Sequence, residues 1–123
     1  MAQRHEFADF VTELLAPLGG VSARRMFGGH GLYRDAVMFA LIADDTLYFK
    51  TDAINRSVFE AAGSQAFRYA RQGRLVALSY HQAPDAAFDS ATAMQPWAES
   101  GFAAALRGRK VSRRSAAPAA AED

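Results

Sequence analysis

The sequence contains no cysteine, and no stretch without a polar side chain exceeds eight residues, the length of the apolar run from Ala36 to Ala43. Without thiols the chain forms no disulfide framework, no thiolate metal site and no cysteine nucleophile. A run of eight apolar residues is too short to cross a bilayer. No signal-peptide pattern precedes Phe7, so we expect a cytoplasmic protein that has no membrane partner.

Charge is distributed unevenly along the 123 residues. Residues 1–106 contain nine Lys or Arg and eleven Asp or Glu, a net charge of −2, whereas residues 107–123 contain five and two, a net charge of +3. The length and composition suit one globular domain with a single core. We therefore predict a domain over residues 1–107 and a flexible basic tail over residues 108–123.

The apolar run predicts a central strand, and its surroundings predict a meander of short antiparallel strands over residues 21–50. The chain carries reversal signals at Asp35, before the run, and at Asp44, after it. Gly28 and Gly29 stand where the chain has to turn or bulge. They do not predict a phosphate-binding loop, because the glycines of such a loop lead into a helix.

Three segments have the apolar spacing of helices. The first covers residues 7–18, the second begins after Asp52, and the last covers residues 94–106. Thr92 and Gln95 have the spacing of a capping box for the last helix. In the second helix we expect the sheet-facing residues to be Ile54, Val58, Ala61 and Ala62, and Phe59 to widen that face.

Residues 66–71 and 74–80 predict a second hairpin that turns at Gly73. Its arginines, Arg68, Arg71 and Arg74, form either the solvated edge of that hairpin or a binding patch. Together the elements predict an α+β fold. It has an antiparallel sheet of two hairpin-like units, about six strands in all, packed with an N-terminal helix, a middle helix and C-terminal helices.

The polar residues give no strong catalytic pattern. Ser79, His81 and Asp85 can be assembled as a triad on paper, but they lack the nucleophile elbow that such hydrolases use. The three histidines lie on separate predicted elements and have no paired-ligand motif. We therefore predict no catalytic residue, no metal site and no cofactor.

Several blocks of the sequence are nevertheless specific: Arg25-Met26-Phe27-Gly28-Gly29, Gly31-Leu32-Tyr33, Met38-Phe39-Ala40-Leu41-Ile42 and Leu47-Tyr48-Phe49-Lys50. They closely resemble the N-terminal domain of the TfoX/Sxy family, and the resemblance continues through Trp97-Ala98. It implies an α+β domain without established catalysis, in bacterial proteins that regulate natural competence and promote expression of DNA-uptake genes. Complete competence regulators carry a second, C-terminal domain, whereas here the basic tail follows.

The leading hypothesis is a non-enzymatic TfoX-like regulatory or interaction domain that acts through a protein partner. Its candidate interaction residues are Arg24, Arg25, Met26, Phe27, Gly28, Gly29, Tyr33 and Lys50. One rival is a nucleic-acid-associated protein whose tail binds phosphates weakly and without reading sequence, through Arg109, Lys110, Arg113 and Arg114.

A second rival is a small-molecule binder or enzyme with an anion pocket near Arg25, Tyr33 and Lys50. Self-association is a further hypothesis. The edge of the predicted sheet near Val21–Tyr33 has few charges, and a homodimer would bury Met26, Phe27 or Tyr33 there. The alternative is that these side chains fill the core of the single chain beneath the first helix.

Overall fold

The computed structural model describes the backbone of residues 2–26 and 28–116, and the side chains of residues 6–26, 28–70, 72–75 and 77–109. The helices are α1 (Ala2–Leu15), α2 (Arg56–Ala61) and α3 (Ala91–Ala116), with 3-10 turns at Ala16–Leu18 and Asp85–Asp89. The strands are β1 (Val21–Met26), β2 (Gly29–Arg34), β3 (Val37–Ala43), β4 (Thr46–Lys50), β5 (Ala66–Arg71) and β6 (Arg74–Gln82).

The strands form one six-stranded antiparallel sheet in the order β1-β2-β3-β4-β6-β5. This confirms the predicted α+β fold with its meander and its second hairpin. The apolar run forms β3 in the sheet interior, as expected. Both central residues of the Asp44-Asp45 and Gln72-Gly73 turns have positive φ, the geometry of the two-residue turns that match strand twist.

A bulge in β3 brings an additional ring into the core. Leu32 pairs with Ala40 and Tyr33 with Met38, so Phe39 has no partner of its own in β2. The Phe39 ring lies 6.3 Å from the ring of Phe49 and 5.9 Å, edge-on, from that of Phe102. The bulge therefore ties the sheet directly to α3.

The hydrophobic core lies between one face of the sheet and all the helical elements. Each helix and 3-10 turn contributes to it, and the rings of Phe39, Phe49 and Phe59 are fully buried at its centre. A Cβ added at Gly101 of α3 would lie 3.1 Å from Phe49 atoms. The lack of a side chain at this position therefore allows α3 to approach the sheet closely.

The predicted buried face of α2 is right for Phe59 and wrong for its other four residues. Ile54 and Val58 are 67% and 55% exposed, and Ala61 and Ala62 are exposed as well, whereas Phe59 is buried. The helix has only six residues. One large ring on so short an element fills the available contact, so the smaller apolar residues turn to solvent.

Helix α3 differs from its prediction at both ends. The hydroxyl of Ser90 accepts a hydrogen bond from the Ala93 N–H at 3.0 Å, so Ser90 caps the helix instead of Thr92. Gln95 instead donates to the Leu14 carbonyl at 3.1 Å, which joins α3 to α1.

The backbone stays helical through Gly108 to Ala116, because neighbouring Arg, Lys and Ala residues favour helix. The side chains of the predicted tail beyond residue 109 lie outside the described part of the chain.

A polar contact holds the segment before α2 to α3. Arg107 donates to both carboxylate oxygens of Asp52, from Nε at 2.6 Å and from Nη2 at 3.0 Å. Asn55 donates from Nδ2 to the hydroxyl of Ser100 at 3.0 Å. The hydrogen bonds from Arg107 lower the pKa of Asp52 to about 2. We call these four residues the clasp.

None of the described helices combines the length and apolar composition that a bilayer-spanning segment needs.

Candidate functional site

Among the described residues, every helical element packs on the side of the sheet that carries Phe39 and Phe49, so the other face has no helix of this part of the chain on it. We call the other side the open face. Strand alternation and side-chain contacts place eight residues there that form two groups. They are Arg24, Tyr33, Met38, Lys50 and Tyr80 in the first, and Tyr48, Phe67 and Tyr69 in the second.

The first group combines cations with tyrosine rings, and we call it the cation–tyrosine patch. The guanidinium of Arg24 lies 4.9 Å from the ring centroid of Tyr33, and Nζ of Lys50 lies 5.3 Å from that of Tyr80. Both distances suit cation–π attraction. Burial, and secondarily the nearby Tyr33, raise the pKa of Tyr80.

The second group, the aromatic row, crosses from β4 to the edge strand β5. The rings of Tyr48 and Phe67 meet edge to face at 4.8 Å, and those of Phe67 and Tyr69 are nearly parallel at 6.1 Å. All three side chains are half-buried. Burial, and secondarily Asp44, raise the pKa of Tyr48.

The structure gathers part of the predicted interaction set on the open face. Arg24, Tyr33 and Lys50 belong to the patch, and Met26 lies at the end of β1 with its sulfur beside Gly31. Arg25 does not join them. It pairs with His30, one residue along from Arg24, and alternation places it on the other side of β1.

The remaining predicted residues lie at the turn between β1 and β2 or outside the described part of the chain. Gly28 has φ +77° and forms the turn, whereas Gly29 lies in β2. A Cβ at Gly29 would collide with the Ile42 carbonyl oxygen. Phe27 lies outside the described residues. β1 is an edge strand, as the self-association hypothesis requires. Self-association at this edge stays a prediction.

An open cleft of about 340 Å³ lies beside the patch. Lys50, Tyr80 and Met38 line it from the sheet, and Arg109 lines it from α3. Lys50 and Arg109 are two cations on one cleft, which suits an anionic group. The sequence pattern places Arg109 in the tail and gives no link to Lys50, because only the continuation of α3 brings Arg109 to the cleft.

A polar group around the buried His81 is also not indicated by any sequence motif. Nδ1 of His81 lies 2.9 Å from the Thr51 hydroxyl, and its Nε2 lies 3.8 Å from a carboxylate oxygen of Glu60. The triad imagined from Ser79, His81 and Asp85 is therefore not formed. Burial lowers the pKa of His81, and Glu60 opposes this only in part. The signal was weak, since Thr51 and His81 lie 30 residues apart.

Among the described residues, no group of three or more His, Cys, Asp or Glu is placed to hold a metal ion.

Comparisons with known proteins agree with the resemblance of the motifs. The sequence is 31% identical over 74 residues to the DNA transformation protein TfoX1 of Aliivibrio fischeri. That match covers 60% of this chain but only 34% of the relative, so the chain corresponds to about a third of the longer protein. The model of the TfoX N-terminal domain matches residues 13–105, which include every strand, α2, the last three residues of α1 and the first fifteen of α3. The chain therefore belongs to the TfoX N-terminal domain family.

Proposed function

We propose that the chain is a non-enzymatic regulatory module for DNA-uptake genes and that it acts by binding a protein partner. The observation that carries the proposal is the cation–tyrosine patch. On the open face, Arg24 lies over the ring of Tyr33 and Lys50 lies over the ring of Tyr80. Tyrosine and arginine are enriched at the centres of protein interfaces, because they offer apolar area together with polar groups.

The buried polar group argues for binding rather than catalysis. Thr51, His81 and Glu60 are arranged in the manner of a nucleophile, base and acid. However, Thr51 is only 1% exposed, so its hydroxyl cannot reach a substrate. A nucleophile has to lie within about 3 Å of the reacting atom. The group therefore supports the packing of β6 against β4 and α2.

Competence regulation can be tested by measuring transcripts of DNA-uptake genes in the native bacterium. Deleting the gene should lower these transcripts, and the unaltered chain should restore them. A Tyr33→Ala/Lys50→Ala variant should not restore them, because it removes one ring and one cation of the patch.

The matched control is Arg68→Ala, which removes an exposed charge outside the patch. It should restore the transcripts fully. Thermal unfolding of the purified variants checks that each is folded. Unchanged transcripts in the deletion strain would refute the regulatory role, and full activity of the double variant would refute the patch as its site.

A second candidate function, binding of a small anion, is favoured by the cleft between Lys50 and Arg109. Thermal-shift measurements with phosphate, citrate and nucleotide monophosphates should then show stabilisation by at least one of them. Lys50→Met and Arg109→Met should each reduce that shift. A melting temperature that no anion changes would refute this second function.

A further inference from the structure

Beyond the patch, the hairpin of β5 and β6 has features of a second binding surface. Only Tyr80, His81 and Gln82 of β6 pair with β4, whereas the pairing of β5 with β6 continues as far as Arg71 and Arg74. We call residues 66–79 the hairpin arm. Most of its described residues are exposed, including Leu75 at 73%. The arm is thus paired only with itself over most of its length.

The charge of this segment has one sign. Between Glu60 and Asp85 the chain contains three arginines and no aspartate or glutamate. The remaining residues up to 106 have a net negative charge, so the arm is a local basic region on an acidic domain. Asp44 contributes to the raised pKa of Tyr48, after burial, and Tyr48 is the end of the aromatic row away from the arm. A partner that covers the arm therefore gains by carrying negative charge.

The strand register separates the arginines between the two faces. Tyr69 pairs with Val76, and Arg71 pairs with Arg74. Paired residues share a face, and residues two apart on a strand share it as well, so Arg74 lies on the same face as Tyr69. Arg68, next to Tyr69, and Leu75, next to Arg74, lie on the other face. The aromatic row thus continues into basic positions on the open face.

We propose that the aromatic row and the arginine end of the arm bind single-stranded nucleic acid. Half-exposed rings on an uncovered antiparallel sheet offer stacking platforms for bases, and Arg74 supplies charge for phosphates. Duplex DNA hides its base faces inside the helical stack and therefore cannot use the rings. An acidic peptide would satisfy the arginines but leave the row of three rings without flat partners.

This activity goes beyond the proposed regulatory function and uses residues outside the cation–tyrosine patch. The test is fluorescence anisotropy of the full chain with labelled oligothymidylate and oligouridylate of about 12 nucleotides, at low salt and at physiological salt. The two oligonucleotides distinguish DNA from RNA. Tyr69→Ala should weaken binding at least about fivefold, the lower end for loss of one stacked base.

Arg74→Ala should also weaken binding and should reduce the salt dependence by about 0.7 in the slope of the logarithmic plot, the value of one single-strand phosphate. The matched controls are Arg68→Ala and Leu75→Ala, which change the opposite face of the same hairpin. Both should bind within about twofold of the original chain, since on the opposite face they contact neither the stacked bases nor the phosphates beside them. Tyr69→Phe keeps the ring and should bind nearly as the original does, which separates stacking from a folding defect.

Several results would overturn the proposal. These are no binding at low salt, tighter binding of a duplex of the same length, tighter binding of a polyglutamate peptide, and equal losses in Arg68→Ala and Arg74→Ala. A full-chain variant with alanine at Arg109, Lys110, Arg113 and Arg114 tests the rival tail. Complete loss of binding in that variant, with none in Tyr69→Ala, would assign the activity to the tail instead.

Discussion

The Asp52–Arg107 pair of the clasp allows a quantitative test of how strongly the segment before α2 is bound to α3. The pKa of Asp52 falls from 3.8 to about 2 because the carboxylate accepts two hydrogen bonds from one guanidinium. A drop of that size corresponds to at most about 2.4 kcal/mol. The side chains are 26% and 36% exposed, so solvent screens the pair. We therefore expect a contribution of about 1 kcal/mol, the upper end for surface pairs.

The coupling energy of the pair is measured by a double-mutant cycle of Asp52→Asn and Arg107→Gln. Asparagine keeps an oxygen for the N–H groups of Ile54 and Asn55, so the local turn is retained. At pH 7 each single variant should lose about 1 kcal/mol in the free energy of unfolding, and the double variant should lose little more. Urea unfolding followed by circular dichroism measures these values. Arg68→Gln, which removes an exposed charge elsewhere, is the control.

The pH dependence gives an independent check. The pKa of Asp52 is lower in the folded state than in the unfolded chain, so its contribution is complete above about pH 4 and is lost as the pH falls toward about 2. The difference between the original chain and Arg107→Gln should shrink over that interval. A coupling energy below about 0.3 kcal/mol at pH 7, or a difference that stays constant with pH, would refute this account of the clasp.

Four further outcomes are expected. Gly28→Ala should cost roughly 1 kcal/mol, because alanine strains the positive φ at that position. Gly29→Ala should cost clearly more, because its Cβ would collide with the backbone of β3. Chemical denaturation of both variants measures the two losses. Because the pKa of His81 is lowered by folding, stability should fall as the pH drops below about 6.5, and His81→Gln should flatten that part of the pH profile. Gly101→Ala should lower the melting temperature, since crowding of about 1–3 kcal/mol outweighs the roughly 1 kcal/mol gain in helix propensity. Removing residues 108–123 should leave the melting temperature within a few degrees, whereas a large drop would show that this segment is packed.

The parts of the fold that could be predicted from sequence are those fixed by neighbours along the chain. The apolar run and its acidic turns specify β3 and the reversals on both sides, because period and turn chemistry are local. The stripe of α1 likewise specifies its buried side, where Val11 and Leu15 are fully buried. These features need no knowledge of distant residues.

The parts that failed depend on contacts between distant segments. Of the expected sheet-facing residues of α2, Phe59 alone is buried, since so short a helix packs only against the Trp97 and Phe49 rings. Arg109 reaches the cleft with Lys50 only because α3 continues past Gly108. Nothing in the local sequence of either residue indicates its partner. The sequence therefore pointed to Arg24, Tyr33 and Lys50 as interaction residues, but not to the sheet face on which they meet Tyr80.

The strand order has a consequence for how the chain tolerates change. Four of the five strand pairings join consecutive strands, and only the pairing of β4 with β6 connects strands that are separated by another strand and by α2. Most of the entropy cost of bringing distant sheet segments together therefore falls on one loop closure. That cost grows only with the logarithm of loop length, by about 0.6 kcal/mol for each doubling. Residues inserted in the connection between β4 and β5 therefore add little to the cost of closing the sheet.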